Sequence, residues 1–542
     1  MRSPCDGPKP SISPSCAAKY RAVCGAAENN PIMIAHPHRA AGAPMVRALV
    51  PLVAGIAAAG RFAVPSWGAA VGFGLCILAA RMMRRRIAAD ICICLALFMA
   101  GWCAAELRYD ASEIPADERA AEIVVDEVVA RREGVLLAEG RMTACETDDG
   151  VRACRHAIRI SADPSLDLAA GDRVVALCRV KPYSRRSERS YERYMARRGF
   201  AGQVTLGPRN VVKRISDEAS FGSRLRVRAV ERIGRLGLSP EVEALTRAVA
   251  VGDRSNITPE MRRRYSLAGT AHLLAVSGLH VGFVFAIVNL LFWWMPLLRR
   301  GHLWRCAAAV VAIWLYASVT GFSPSVTRSA IMFTVLQLSM GLNVRFDTLN
   351  ALALTACVML LFDARYLFDA GFLMSFTAVA AIVEWGVPLA RAGRREKMTA
   401  GIEKRNDAAR RRVVGMAAYV GRRLWGAVAV SLAASVATMP LAALFFGSAS
   451  LWSIVTGPAS ILPSAVLLGA GLLWSLVPLP LLAPVAARAV NLSGGALDAL
   501  TRWCAETDVL SFEFEPDGAV CAAIYIGFVA FALWLRRRND RI

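Results

Sequence analysis

The chain has 542 residues, 56% of them hydrophobic, with a mean hydropathy of +0.42 and a formal net charge of +22. That length allows two domains, and that apolar content excludes an ordinary soluble protein in favour of a polytopic α-helical membrane protein. Such a positive charge would suggest a nucleic-acid partner in a soluble chain, but in a membrane protein loop arginines set topology, so their distribution matters more than their total.

Residues 1–44 are rich in Pro, Ala and Ser, hold two histidines, His36 and His38, too few for a metal site, and show no periodicity, so they read as a disordered tail without a signal-peptide pattern. Residues 45–106 contain three apolar runs, at about 46–63, 66–80 and 87–105, each near the length needed to span hydrocarbon. The short loop RMMRRR between the second and third places that side in the cytoplasm and delivers the chain to the opposite side after Trp102.

From 117 to 212 the pattern changes to that of a soluble domain. AEIVVDEVVA, GVLLAEGRMTAC, ACRHAIRISA, DRVVALCRV and FAGQVTL read as five short strands, with a helix at SYERYMARRG before the last; five strands and one helix suit a small barrel. Arg185, Arg186, Arg189, Tyr191, Arg193 and Tyr194 interleave cations and rings, as a single-stranded nucleic acid requires for backbone attraction and base stacking. A basic helix facing lipid head groups has the same composition, so both readings stand. The 14 cysteines show no CxxC spacing, which gives a structural metal site no support. Cys145 and Cys154 flank the turn TDDG and are expected to bridge a hairpin on an oxidising side, with Cys178 as a competing partner.

Residues 217–268 carry RLRVRAVERIGRL and MRRRYSL, too charged to span. They are expected to be interfacial helices with arginines turned to anionic lipid or DNA phosphate. A polar cluster then opens an apolar run in GTAHLLAVSGLHVGFVFAIVN, residues 269–289, where His272, Ser277 and His280 sit among Gly269, Gly278 and Gly282. A serine beside a histidine raises hydrolase chemistry. Ser277 and His280 share a helical face at i, i+3, yet no GxSxG elbow and no neighbouring carboxylate accompany them. Polar packing and the lining of a pore or gate are the competing readings.

Further spans are expected at about 304–321, 324–342, 347–363, 369–388 and 424–446, with Arg345 and the basic loop 391–423 on the cytoplasmic side. Arg328 lies one turn inside a span, where a lone guanidinium is costly, so it is expected to face Asp363 or Asp369, or a water-filled path for phosphates. Beyond Gly447, WSIVTGPASILPSAVLLGAGLLWSLVP reads as one span or a broken pair, and AVCAAIYIGFVAFALWLRRR as a closing span, for a total of about ten to twelve.

The string HLLAVSGLHVG resembles the most characteristic motif of the ComEC competence-protein family, inner-membrane channels that pass single-stranded DNA into bacteria during natural transformation. GDRSNITPEMRRRYSLAGTA before it, and YASVTGFSPSVTRSAIMF, LNALALTACVMLLFDARYLFDAGFLMSF and MPLAALFFGSASLW after it, resemble the family's further blocks in the family's order. The resemblance implies that 117–212 is an OB-like periplasmic domain inserted into the helical protein, and that 269–538 is a transmembrane channel domain. It implies a substrate path of His272, Ser277, Gly278, His280, Arg328, Asp363 and Asp369, with single-stranded DNA and membrane lipid as partners and a DNA-receptor protein outside. The metallo-β-lactamase-like domain of many relatives carries HxHxDH, which is absent here, as is GxxxxGK[ST]; a separate nuclease and a separate cytoplasmic ATPase are therefore implied, and no cofactor. The competing functions are a transporter or flippase for another anionic substrate and, using Ser277, an intramembrane hydrolase.

Overall fold

A computed structural model describes residues 44–59, 66–83, 86–106, 117–132, 134–148, 150–169, 171–183, 190–216, 221–342, 347–391, 408–478, 480–507, 510–514 and 516–539. The N-terminal tail before Pro44, Arg345 and residues 392–407 of the basic loop lie outside that set.

Three helices, α1 (Pro44–Ala59), α2 (Ser66–Met82) and α3 (Arg86–Glu106), form at the three predicted apolar runs. Gly55 packs on the Phe98 carbonyl and Gly101 on the Leu52 carbonyl, so α1 and α3 approach at a distance that any Cβ would prevent.

The sheet domain has seven strands: β1 (Arg119–Arg132), β2 (Val135–Thr147), β3 (Gly150–Ala162), β4 (Asp172–Cys178), β5 (Val180–Pro182), β6 (Phe200–Leu206) and β7 (Val211–Ser216), with helix α4 (Ser190–Arg197) before β6. All five expected strands and the helix form; Val180–Pro182 separates from β4 as its own strand, and Val211–Ser216 went unread because VVKRIS resembles a charged linker. The order is β5-β6-β3-β2-β1-β4-β7, with β3 and β6 parallel and the other pairs antiparallel. Its end strands β5 and β7 do not pair, so the sheet is not a closed barrel. Alternating apolar residues, among them Ile123, Leu136, Ile158, Ile160, Val174 and Val204, fill one interior face.

The helical part continues with α5 (Phe221–Gly234), α6 (Pro240–Val251), α7 (Pro259–Leu267), α8 (Gly278–Leu291), α9 (Gly301–Val319), α10 (Pro324–Gly341), α11 (Thr348–Phe362) and α12 (Ala370–Ala381). A π-helical segment at Ile382–Gly386 carries α12 on toward Arg391. Then come α13 (Ala408–Phe446), strand β8 (Ser448–Ser450), α14 (Ser453–Leu476), α15 (Ala483–Thr507), strand β9 (Ser511–Glu513) and α16 (Gly518–Asn539). Among the described residues five helical stretches are long and apolar enough to cross a membrane: Ile87–Glu106, Gly301–Val319, Ala370–Arg391, Tyr419–Phe446 and Ser453–Leu476. Others of the predicted spans are shorter apolar helices, because caps cut them: α11 is bounded by Asp347, which accepts from the Asn350 N–H at 3.0 Å, and by Asp363 at its end. α14 is one continuous helix through Pro458 and Pro463, which decides between the single span and the broken pair.

Part of the 217–268 segment is packed inside the helical part. Eight residues of α6 are buried, and α6 runs through the largest apolar cluster with Leu467, Leu468, Val490 and Leu497 of α14 and α15. Gly471 and Gly494 let those helices close on Thr246 and Val242. Nor do the arginines simply face outward. Arg226 donates from Nε to the Val319 carbonyl at 2.6 Å, and Arg232 donates to the Ser475 and Leu476 carbonyls. Both cations therefore sit at the negative C-terminal ends of α9 and α14. Arg264 bridges Glu241 at 3.1 Å and Asp498 at 3.2 Å.

Candidate functional site: where three helix N-termini meet

The segment from Gly269 to Gly278 turns the chain sharply into α8. Gly269 has φ +69 and backs onto Ser453 with no room for a side chain, while the Thr456 hydroxyl donates to the Ala268 carbonyl at 3.0 Å. A 3-10 turn at Ala271–Leu274 buries Leu273 and Leu274 and leaves His272 accessible. His272 lies within electrostatic reach of His280.

Ser277 is the N-cap of α8, and Nδ1 of His280 accepts the Ser277 backbone N–H at 3.1 Å. The histidine thus fills the place of the glutamate in a capping box. The commitment of Nδ1 leaves the proton on Nε2, which is buried and has no hydrogen-bond partner among the described residues. That nitrogen is not a base for Ser277, so the serine–histidine spacing has a structural cause.

Gly278, the first residue of α8, faces Arg328: a Cβ there would lie 2.5 Å from Arg328 Nη2 and 2.5 Å from Ser329 Oγ. Arg328 stands one turn into α10 and is 6% exposed. Its Nε donates to the Ser375 hydroxyl of α12 at 2.8 Å, Nη1 approaches Met332 Sδ at 3.7 Å, and the guanidinium lies 5.9 Å from the Phe376 ring centroid. The first two turns of α8, α10 and α12 therefore converge on one guanidinium, each bringing the positive end of a helix dipole.

The expected pairing of Arg328 with Asp363 or Asp369 does not form. Asp363 is bound by its near neighbour Arg365, with Nε at 2.9 Å and Nη2 at 2.7 Å, and caps the following 3-10 turn. Asp369 caps α12 by accepting the Phe372 N–H at 3.0 Å and lies 3.6 Å from Arg198. Local caps win because the aspartates stand at helix boundaries, where an arginine two residues away or an open N–H lies nearer than another span. Of the expected path, the structure brings together Ser277, Gly278, His280 and Arg328, leaves His272 beside them, and draws Asp363 and Asp369 into a different contact.

That contact docks the sheet domain. Arg198, at the turn before β6, lies 3.6 Å from both Asp369 and Glu139, and Gly199 at φ +84 packs directly on Arg365. Burial pushes the Glu139 carboxyl up from its ordinary range, and Arg198 pulls it back. Sequence reasoning missed Arg198, Glu139, Ser375 and Phe376 in these roles. A serine in an apolar span was the one available signal, for Ser375.

Among the candidate DNA contacts, Arg185, Arg186 and Arg189 lie outside the described residues, and Arg193 and Tyr194 fall on α4. Tyr191 packs edge-on against Tyr183 at 6.2 Å between centroids, with Arg159 hydrogen-bonded to its hydroxyl. The Tyr183 hydroxyl, pushed up to about 12 mainly by burial, stays neutral and sits 3.0 Å from Gln203 Oε1. Arg159 and Gln203, on neighbouring strands, complete a small basic and aromatic face that the sequence did not reveal.

The Cys145 to Cys154 bridge is absent. Register is the reason: Cys145 stands opposite Arg152, which leaves Cys154 diagonal to it and beyond disulfide reach, with its thiol 3.7 Å from the Met142 carbonyl. Cys178 is also unbridged, and burial pushes its thiol up to about 11.

Residues 249–538, more than half of the chain, match the family described as Competence protein. The chain belongs to the Competence protein family. The Competence region runs from the end of α6 to α16 and includes all three helices that meet at Arg328, while the sheet domain and α1 to α3 lie outside it. ComE operon protein 3 of Bacillus subtilis (strain 168) is 35% identical over 148 residues, 27% of this chain and 18% of that protein. Competence protein ComA of Neisseria gonorrhoeae is 31% identical over 159 residues, 27% of this chain and 22% of that protein. The matched segments thus span about a fifth of the length of these relatives. No solved structure matches the chain.

Proposed function

We propose that this protein conducts single-stranded DNA across the bacterial inner membrane during natural transformation. The observation that carries the reading is the coincidence of two boundaries: the Competence match spans the helices whose N-termini surround Arg328. A path for a polyanion needs positive potential in a water-poor interior, and helix N-termini with a guanidinium supply it without mobile counterions. The DNA reaches this path from outside, handed on by a receptor protein; a separate ATPase pulls from the cytoplasm, and a separate nuclease removes the second strand. Membrane lipid surrounds about ten to twelve crossing segments, the shorter apolar helices included.

In this reading the sheet domain is an OB-like module that guides the strand to the path. Two features support it. β4 pairs with β1 and, one residue later, β5 pairs with β6, so a single bent segment touches both flanks of the sheet as in a small barrel. The face with Arg159, Tyr183 and Tyr191 offers cation and rings together.

Deletion in a naturally competent host tests the function. Transformation frequency should fall to background while duplex DNA still binds the cell surface and labelled strand no longer enters the cytoplasm. Normal entry of labelled strand in the deletion strain would overturn the reading.

A further inference from the structure

We infer that Arg328, with the N-terminus of α8 at Gly278, forms a fixed seat for one phosphate group, a point at which a phosphodiester rests on its way past the helices. The nature of the phosphate rests on the proposed function; the seat itself rests on local geometry.

Among the described residues the cation has no counter-charge. Arg328 is 6% exposed and forms no ion pair among the described residues; its neighbours are a hydroxyl, a thioether, a ring and the glycine backbone. Three half-buried arginines of the helical part are answered: Arg264 by Glu241 and Asp498, Arg226 and Arg232 by C-terminal carbonyls. Arg328 stands at the opposite, positive ends of α8, α10 and α12, where a helix dipole repels a cation. A buried guanidinium held against three positive helix ends is poorly placed for stability and well placed for an anion.

The geometry also selects the anion. Nε is fixed by Ser375 and Nη1 turns to Met332, which leaves Nη2 beside Gly278 without a hydrogen bond among the described residues. The amide groups of Gly278 and Leu279 are at the start of α8, where no preceding turn accepts them. A tetrahedral oxyanion can accept from Nη2 with one oxygen and from these amides with another. A residue larger than glycine at 278 would run into Nη2 and push the guanidinium away from these amides. The neutral His280 imidazole, buried one turn in, adds a dipole and no charge, so the seat holds a phosphate without the tight grip of several cations. A strand that must move on requires that weakness.

The test uses the full chain purified in a maltoside detergent, which carries no phosphate. Inorganic phosphate, phosphatidylglycerol and a short oligothymidylate are added in turn and thermal unfolding is followed. Binding of fluorescent oligothymidylate is measured against salt. Wild type should be stabilised by inorganic phosphate and by the oligonucleotide. Arg328→Gln should lose that protection, bind the oligonucleotide about 10-fold more weakly, and show a log-log salt slope smaller by about 0.7, the signature of one lost phosphate contact. Arg328→Lys keeps the charge and should keep the slope with intermediate affinity, which a packing role would not produce. Protection by phosphatidylglycerol alone supports the seat and assigns its phosphate to lipid. If no phosphate compound protects the wild type, or if folded Arg328→Gln keeps wild-type affinity and slope, the inference falls. Should Arg328→Gln not fold, the wild-type protection and the Arg328→Lys slope decide by themselves. A deletion strain that transforms normally would sink the proposed function and leave phosphate protection standing; an unchanged slope in Arg328→Gln would do the reverse.

Discussion

Arginines of the sheet domain meet carboxylates on adjoining strands: Arg141 and Asp126 at 2.7 Å, Arg173 and Glu122 at 3.0 Å. Arg328, in the helical part, meets a serine, a methionine and a phenylalanine. The first arrangement is inexpensive and nearly neutral in effect, since water already solvates half-exposed ions. The second is costly, since little water reaches the guanidinium and no opposite charge among the described residues replaces it. Charge that a domain can do without is matched locally; charge that remains unmatched in an apolar interior marks the place where a ligand supplies the match.

Three changes probe that contrast. The largest effect is expected from Gly278→Ala, which drives a methyl group into Arg328 and Ser329. It should lower stability by about 1 to 3 kcal/mol, the usual cost of overpacking, and reduce the amount of protein in the membrane, read by thermal unfolding and immunoblot. A tolerated Gly278→Ala with full stability would mean that Arg328 swings freely and that the contrast is overdrawn. Arg232→Ala should cost about 1 kcal/mol by releasing the C-terminal carbonyls of α14, with no change in the salt dependence of DNA binding. If that slope did change, the matched arginines would be part of the path as well. The smallest effect belongs to the sheet domain: Arg141→Ala should cost about 0.2 to 1 kcal/mol, shrinking as salt is added. A larger, salt-insensitive loss would show that the strand pairs hold the domain together more than water allows.

Glu139 connects the two regions and gives a fourth test, by pH. Burial raises its folded-state pKa above the unfolded value, so the protonated form favours the fold, and this contribution is lost as pH rises through the raised value. Glu139→Gln should therefore flatten the stability curve just above the ordinary carboxylate range, measured as unfolding midpoint against pH. An unchanged curve would mean that Arg198 holds the carboxylate ionised throughout and that the docking contact has no pH dependence.

Much of the architecture was legible along the chain because it depends on short periods. Apolar runs of about 20 residues announced helices, and alternation over β1 to β4 announced strands. The string from His272 to Gly282 likewise singled out the turn where the site lies. What composition and spacing leave undecided is partner choice. Asp363 and Asp369 stood as plausible mates for Arg328 until the fold put Arg365 and Arg198 against them. Cys145 and Cys154 looked bridged until strand register set Arg152 opposite Cys145. Two arginines of 217–268, Arg226 and Arg232, found carbonyls at the ends of α9 and α14, which no spacing in the sequence announced. In each case the local sequence determined what kind of group was present and where its helix or strand began. Only the tertiary structure decided which distant group came within hydrogen-bond reach, because interactions of 3 Å depend on how elements pack and no periodicity records that.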